Sequence, residues 1–422
     1  AYNAEGYLVS RPAYLETPAS RGVQPDSTDS IAPVRGTYQP HLYAVIVGVS
    51  QYHNPELNLR FSSKDAQDMA KAIQTAGKHL FGGRIHVNLL HSEAGAAGQP
   101  TRANIIGALR EVARQATHED VLVVYLSGHG TNYGGQDGDF YYLTQEASSL
   151  TLADPALRET SALSSHYLTE TFKQILAQKQ LFIVDACASG RVVENLLARK
   201  DVPASTIRAL DKMRDRIGSF IITGCAADAA SYEASRYGQG LLTYSLLSGI
   251  RGGALQNNCI EVEPLLHYAR EMVPQLATDI GGIQEPRIFS PNAGSSFTIG
   301  CMSPEEQATI ELATPKPFFL QTNFQNEDEL EDNLRLAQLV DDGLNELSTR
   351  GRQAPLVFLD VKEFAGAYSL AGRYKVQPDK ITLTVRLSQD KVEKARFQLE
   401  GKDPSALRTA ILREIARRVN QM

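Results

Sequence analysis

Residues 121–130 read VLVVYLSGHG and residues 181–190 read LFIVDACASG. Each is a short run of aliphatic and β-branched residues that breaks into a small, polar, glycine-bearing segment. A continuous apolar run of this length, closed by a turn signal, reads as a strand buried on both faces. Working outward, Leu42–Val49 (LYAVIVGV), Arg84–Leu90 and Ser219–Thr223 (SFIIT) repeat the pattern. Helical periodicity separates these runs over Ser62 to Ala76, over Ala103 to Ala116 opened by Thr101, and over Ser165 to Ala177. Ser62 and Ser63, with Asp65 close behind, read as an N-cap followed by an acid in the first turn. Buried strands alternating with helices predict βαβ units and a mostly parallel sheet covered on both faces. In such sheets the ligand site lies at the carboxyl ends of the strands, here Ser127–Gly130 and Ala186–Gly190.

Those two ends carry His129 and Cys187. Cysteine attacks a carbonyl as thiolate, and a neighbouring imidazole can take its proton and later protonate the leaving amine. Adjacent parallel strands would bring the two together despite their distance along the chain. The flanking glycines leave room for backbone N–H groups to reach a developing oxyanion, a role that falls to those of Gly130 and Cys187. Either residue alone is more often a packed thiol or a satisfied polar group; the pairing at matching strand ends carries the argument. Cys225, after the fifth strand, is a rival nucleophile that lacks a glycine-rich exit. Cys259 and Cys301 have no comparable surroundings.

Other chemistries find little support. The four cysteines lie far apart with no C-x-x-C, so neither a disulfide framework nor a zinc site is expected, and a reducing, cytoplasmic setting is the simpler expectation. The amino-terminal stretch lacks the basic-then-apolar pattern of a signal peptide. No apolar run approaches the roughly 18–20 residues that cross a bilayer, so no membrane role is expected. A formal net charge of −6 argues against nucleic acid as the main partner. The phosphate-loop, dinucleotide, zincin and serine-elbow motifs are all missing, so no cofactor is expected. The stretch Thr131–Ser165 reads as a long loop, and long loops tend to be functional. Its Gly134, Gly135, Asp137, Gly138 and Asp139 lack the ligand spacing of an EF-hand, so no metal is predicted.

The order strand, S-G-H-G, strand, D-A-C-A-S-G resembles the caspase-like peptidase family in its bacterial and metacaspase branch, over roughly residues 41–300. The spacing agrees, since His lies about 50 residues before Cys in caspases. Ser231-Tyr232-Glu233, the run Gly238 to Tyr244 (GQGLLTY) and Gly281 to Gln284 (GGIQ) are similar to bacterial members. The resemblance implies a central six-stranded sheet flanked by helices, with its sixth strand in Pro286–Gly300, and a Cys187/His129 dyad. Caspases carry Gln two residues before the nucleophile, where this chain has Asp185. A carboxylate there would repel an aspartate side chain and attract Arg or Lys. Metacaspases and their legumain-like relatives are likewise acidic at that position. Asp65 resembles a second acidic pocket position, though it reads equally well as first-turn helix charge, and Asp228 a third. The implied activity is a cysteine endopeptidase that cleaves protein or peptide substrates after Arg or Lys. The alternative is a catalytically silent scaffold of the same fold. Residues 197–217, rich in Arg and Lys, read either as a solvated basic face or as a linker for self-cleavage, by which the family often matures.

Beyond the peptidase-like region, residues 1–40 read as an arm and 301–326 as a linker punctuated by Pro315 and Pro317. Residues 327–422 read as a small α/β accessory domain. Pro355–Val361 and the alternating Ile381–Leu387 are its strands, and a helix after Asp403-Pro404 carries Leu407, Ile411, Ile415 and Val419 on one face. It resembles small domains of the TolB amino-terminal type, which implies docking of a regulatory partner. Arg373 and Tyr374 read as ordinary sheet surface.

Overall fold

The computed structural model describes residues 38–419 apart from 135–137, 189–207, 209–210, 212–218, 225–235, 281–283, 292–295 and 349–353; of 187 and 188 it describes the backbone. The first ten strands are β1 (Leu42–Gly48), β2 (Ile85–His91), β3 (Val121–Tyr133), β4 (Asp139–Leu143), β5 (Ala162–Ser164), β6 (Lys179–Ala188), β7 (Phe220–Thr223), β8 (Cys259–Glu261), β9 (Arg287–Phe289) and β10 (Thr298–Cys301). The main sheet runs β2-β1-β3-β6-β7-β9. The first five pair in parallel and β9 is antiparallel, so the sixth strand falls inside the expected Pro286–Gly300 window.

Side chains alternate across a strand, and both faces of this sheet are covered. On β1, Leu42, Ala44 and Ile46 pack beneath α1 (Ser62–Phe81) with residues of the later helices α5 (Leu241–Ser248) and α6 (Val262–Thr278). Tyr43, Val45 and Val47 face the other layer, built on α2 (Arg102–Gln115) and α4 (Ser165–Gln174), with the short α3 (Pro155–Ser161) ahead of α4. Each fully buried side chain of this size contributes about 1.5–3 kcal/mol. Thr101 caps α2 as its sequence suggests, accepting the Asn104 N–H at 3.1 Å.

Three expectations are corrected here. Ser62 and Ser63 lie inside α1 after Phe61, whose side chain makes no cap bond; the Ser63 N–H donates to Ser50 Oγ at 2.8 Å. Thr131–Ser165 is more than a loop, because β3 runs on to Tyr133 and turns back as β4, which then pairs with β5. Cys259 and Cys301 are joined by a disulfide, since β8 and β10 pair antiparallel and set the two residues opposite each other. The argument for a reducing compartment from four free thiols loses its ground.

The C-terminal sheet comprises β11 (Phe318–Leu320), β12 (Asn323–Asn326), β13 (Val357–Leu359), β14 (Tyr368–Val376), β15 (Ile381–Gln389) and β16 (Val392–Gly401). Its order is β13-β11-β14-β15-β16, with β12 on β14. Residues 301–326 are therefore only partly connection: α7 (Pro304–Ala308) and two strands of this sheet lie within them. Helices α8 (Leu336–Ser348) and α9 (Pro404–Val419) cover one face, where Leu344, Leu383, Val385, Leu407, Ile411 and Ile415 share a core. Tyr374 belongs to that core, with its hydroxyl 3.2 Å from the Leu334 nitrogen; Arg373 stays exposed. Alternation again decides the other face of β11 and β13. Phe319 enters the C-terminal core, whereas Phe318, Leu320, Val357 and Leu359 join the core beneath α1, α5 and α6.

Candidate active site

Strands β3 and β6 are in parallel register, and His129 pairs with Cys187 across them, flanked by Gly128 with Ala186 and Gly130 with Ala188. The sheet thus brings the two sequence-singled residues to the same level on neighbouring strands. The His129 ring is mostly buried and its Nε2 lies 2.8 Å from the carbonyl oxygen of Leu57. A carbonyl only accepts, so Nε2 carries the proton and Nδ1 is the nitrogen left to act as base. Burial holds the pKa of His129 below the ordinary histidine value, with the Leu57 bond pulling the other way. The ring is accordingly neutral near pH 7, as a base must be.

Backbone geometry around His129 is built from below. The His129 N–H donates to Tyr52 Oη at 2.8 Å, and Tyr142 Oη donates to the Ser127 carbonyl at 2.8 Å. Both hydroxyls crowd Gly128, where a Cβ would come within 2.8 Å of Tyr52 Oη at a φ of 155°. Only glycine fits.

The acidic residues converge elsewhere on the same end of the sheet. Asp65, on α1, is almost fully buried, and its Oδ2 accepts the N–H of Gly240, the residue that opens α5, at 3.0 Å. Asp65 Oδ1 is buried with no hydrogen-bond partner among the described residues. Asp185, on β6, accepts from Thr243 Oγ1 at 2.8 Å, and that hydroxyl lies 2.6 Å from Tyr125 Oη. A Cβ on Gly240 would stand 2.9 Å from Asp185 Oδ2 and 3.0 Å from Asp65 Oδ2, so the two carboxylates flank one glycine. Burial raises both pKa values, and for Asp65 the charge of Asp185 raises it further while the Gly240 N–H lowers it. Two carboxylates this close favour a cationic guest. Asp228, the third candidate, lies outside the described residues, as do residues 231–233 and 281–283 of the motif stretches.

The sequence profile described as Caspase domain matches residues 41–297. The chain belongs to the caspase-domain family. Metacaspase-1 of Plasmodium falciparum (isolate 3D7) is 25% identical over 257 residues, covering 59% of this chain and 41% of that protein. Inactive metacaspase-4 of Trypanosoma brucei brucei is 34% identical over 129 residues, 29% of this chain and 33% of that one. The chain therefore matches well under half the length of these curated relatives. A crystal structure of caspase-1 from Spodoptera frugiperda is also similar, at a TM-score of 0.38 and 14% identity, over 67% of this chain and 99% of that one.

In this caspase-family chain some of the site escapes sequence reading. Leu57 acts through a backbone oxygen, which any residue would supply. Tyr52 and Thr243 reach the site only through the tertiary fold; the run GQGLLTY marks the segment holding Gly240 and Thr243 without revealing their partners. Among the described residues no group of three or more His, Cys, Asp or Glu forms a metal site, and no helix is long and apolar enough to cross a membrane.

Proposed function

We propose that the protein is a cysteine endopeptidase that cleaves after Arg, and less well after Lys, with Cys187 as nucleophile and His129 as acid/base. The observation that carries this reading is the register of His129 opposite Cys187, with Nε2 committed to Leu57. The Cys187 thiol gives its proton to His129 Nδ1, and sulfur adds to the scissile carbonyl carbon. The N–H groups of Gly130 and Cys187 take the oxyanion. His129 then protonates the leaving amine, and water deprotonated by the same ring hydrolyses the thioester. Asp185 and Asp65 supply charge-assisted bonds to the guanidinium of the residue before the scissile bond; Asp228 is a third candidate for that pocket.

Self-cleavage within 197–217 is part of the proposal, although that segment, Arg208 and Asp211 apart, lies outside the described residues; Cys187→Ala protein that is still nicked would count against it. The C-terminal sheet is proposed as a docking surface for a regulatory protein. The second reading, a silent scaffold, draws support from the relative named inactive. Fluorogenic peptides ending in Arg, Lys or Asp, offered to the wild type and to Cys187→Ala, test the reading. Arg cleavage lost in the variant supports it. Equal turnover of the Asp peptide overturns the pocket assignment, and a wild type silent toward peptides and toward a thiolate-directed probe favours the scaffold.

A further inference from the structure

The peptide joining Gln239 to Gly240 is gripped by one face of α1. Asp65 and Asp68 are three residues apart and so lie on the same side of the helix. Asp65 accepts the Gly240 N–H, and Asp68 Oδ2 accepts from Gln239 Nε2 at 2.6 Å. Lys64 pairs with Asp68, so Asp68 is itself oriented. Gln239 is fully buried, and its other amide atom, Oε1, lies 3.5 Å from the N–H of Ala313. A primary amide is the group that can donate to a carboxylate on one side and accept from an N–H on the other.

Ala313 belongs to the segment leading into β11, and that segment is fastened at three further points. Lys71 Nζ meets Glu311 Oε1 at 2.5 Å, the Lys316 N–H donates to the Arg236 carbonyl at 2.7 Å, and the Arg236 guanidinium stands 4.7 Å above the Phe318 ring. The turn at 236–240, whose last residue separates the two pocket carboxylates, is thus clamped between α1 and the strap that enters the C-terminal sheet.

We propose that Gln239 is a positioning residue that lets the C-terminal module set the shape of the basic-residue pocket. This rests on the pocket reading above. The turn holds Gly240 between Asp65 and Asp185, so loosening it spreads the carboxylates and weakens binding of the substrate side chain while leaving the His129 and Cys187 strands in place.

The test is steady-state hydrolysis of arginyl and lysyl peptides by the full chain carrying Gln239→Glu, Gln239→Glu with Asp68→Asn, or Arg236→Ala, with thermal unfolding followed in parallel. Gln239→Glu sets two carboxylates face to face and is expected to raise KM about tenfold, with kcat within about twofold. Adding Asp68→Asn restores a donor and is expected to return KM most of the way. Arg236→Ala, which frees the turn from Phe318, is expected to raise KM in the same direction by a smaller factor. A fall in kcat at constant KM, or no rescue by Asp68→Asn, overturns the role of Gln239. An Arg236→Ala KM equal to the wild type overturns the coupling to the C-terminal module. In each case wild-type cleavage after Arg leaves the pocket reading standing, whereas a wild type inert toward every basic peptide removes both.

Discussion

The imidazole Nε2 of His129 donates to the carbonyl oxygen of Leu57 at 2.8 Å. This bond to a single-turn helix over Pro55–Leu57 fixes both the ring plane and the tautomer. Burial lowers the pKa of this ring, so it stays neutral as pH falls through the ordinary histidine value of 6.5. The acid limb of kcat, measured with an arginyl peptide at saturating concentration, is expected below pH 6.5. A limb above that value contradicts a buried neutral base. The linkage has the same sign: stability from the neutral ring is present above the unfolded-state pKa and lost as pH falls through the folded one.

Tyr52→Phe removes the acceptor of the His129 N–H and nothing else of comparable size. The orphaned N–H is expected to cost about 1–3 kcal/mol of stability. Because that N–H belongs to the proposed base, kcat is expected to fall about tenfold with KM little changed. Chemical denaturation and steady-state kinetics read the two effects separately.

Asp65→Asn tests the acidic pocket from its buried side. The raised pKa of Asp65 means that its ionised form opposes folding: the stability it contributes is present below the unfolded-state pKa and lost as pH rises through the folded one. The substitution is expected to raise Tm at neutral pH by about 2 °C and to raise KM for arginyl peptides about tenfold. In the wild type, KM for arginyl peptides should climb as pH falls and Asp65 takes up its proton. The variant should lose much of that climb, and a variant that keeps all of it removes Asp65 from the pocket.

The strands, and the places of His129 and Cys187 at their ends, were legible because their signal is local. VLVVYL and LFIV are buried runs whatever surrounds them, and His129 and Cys187 follow directly at their ends. Asp65 was ambiguous for a physical reason, since a first-turn acid and a pocket acid occupy the same place on a helix. Gly240, arriving from far along the chain, gives Asp65 a buried partner that the helix sequence alone does not reveal. Leu57 was invisible because its contribution is a main-chain oxygen. The strands at Phe318–Leu320 and Asn323–Asn326 were too short, and too close to Pro315 and Pro317, to stand out from a connection.

The Cys259–Cys301 bond escaped notice because antiparallel pairing of two very short strands leaves no spacing motif. Alkylation of denatured, unreduced protein is expected to spare Cys259 and Cys301. Cys259→Ser is expected to cost about 2–4 kcal/mol. Full labelling of all four residues without reductant would show the bond to be absent.

The two-faced strands β11 and β13 bear on how such a chain can be rearranged over evolutionary time. Phe318, Leu320, Val357 and Leu359 lie inside the core of the caspase-domain region, so the seam between the two sheets is itself hydrophobic interior. A fragment ending near residue 300 would leave that part of the interior open to water, as a contiguous greasy scar. Exchange of the carboxyl-terminal third for an unrelated sequence would have to replace those four side chains with others of matching shape. A change of side-chain volume on one side of the seam is therefore felt on the other.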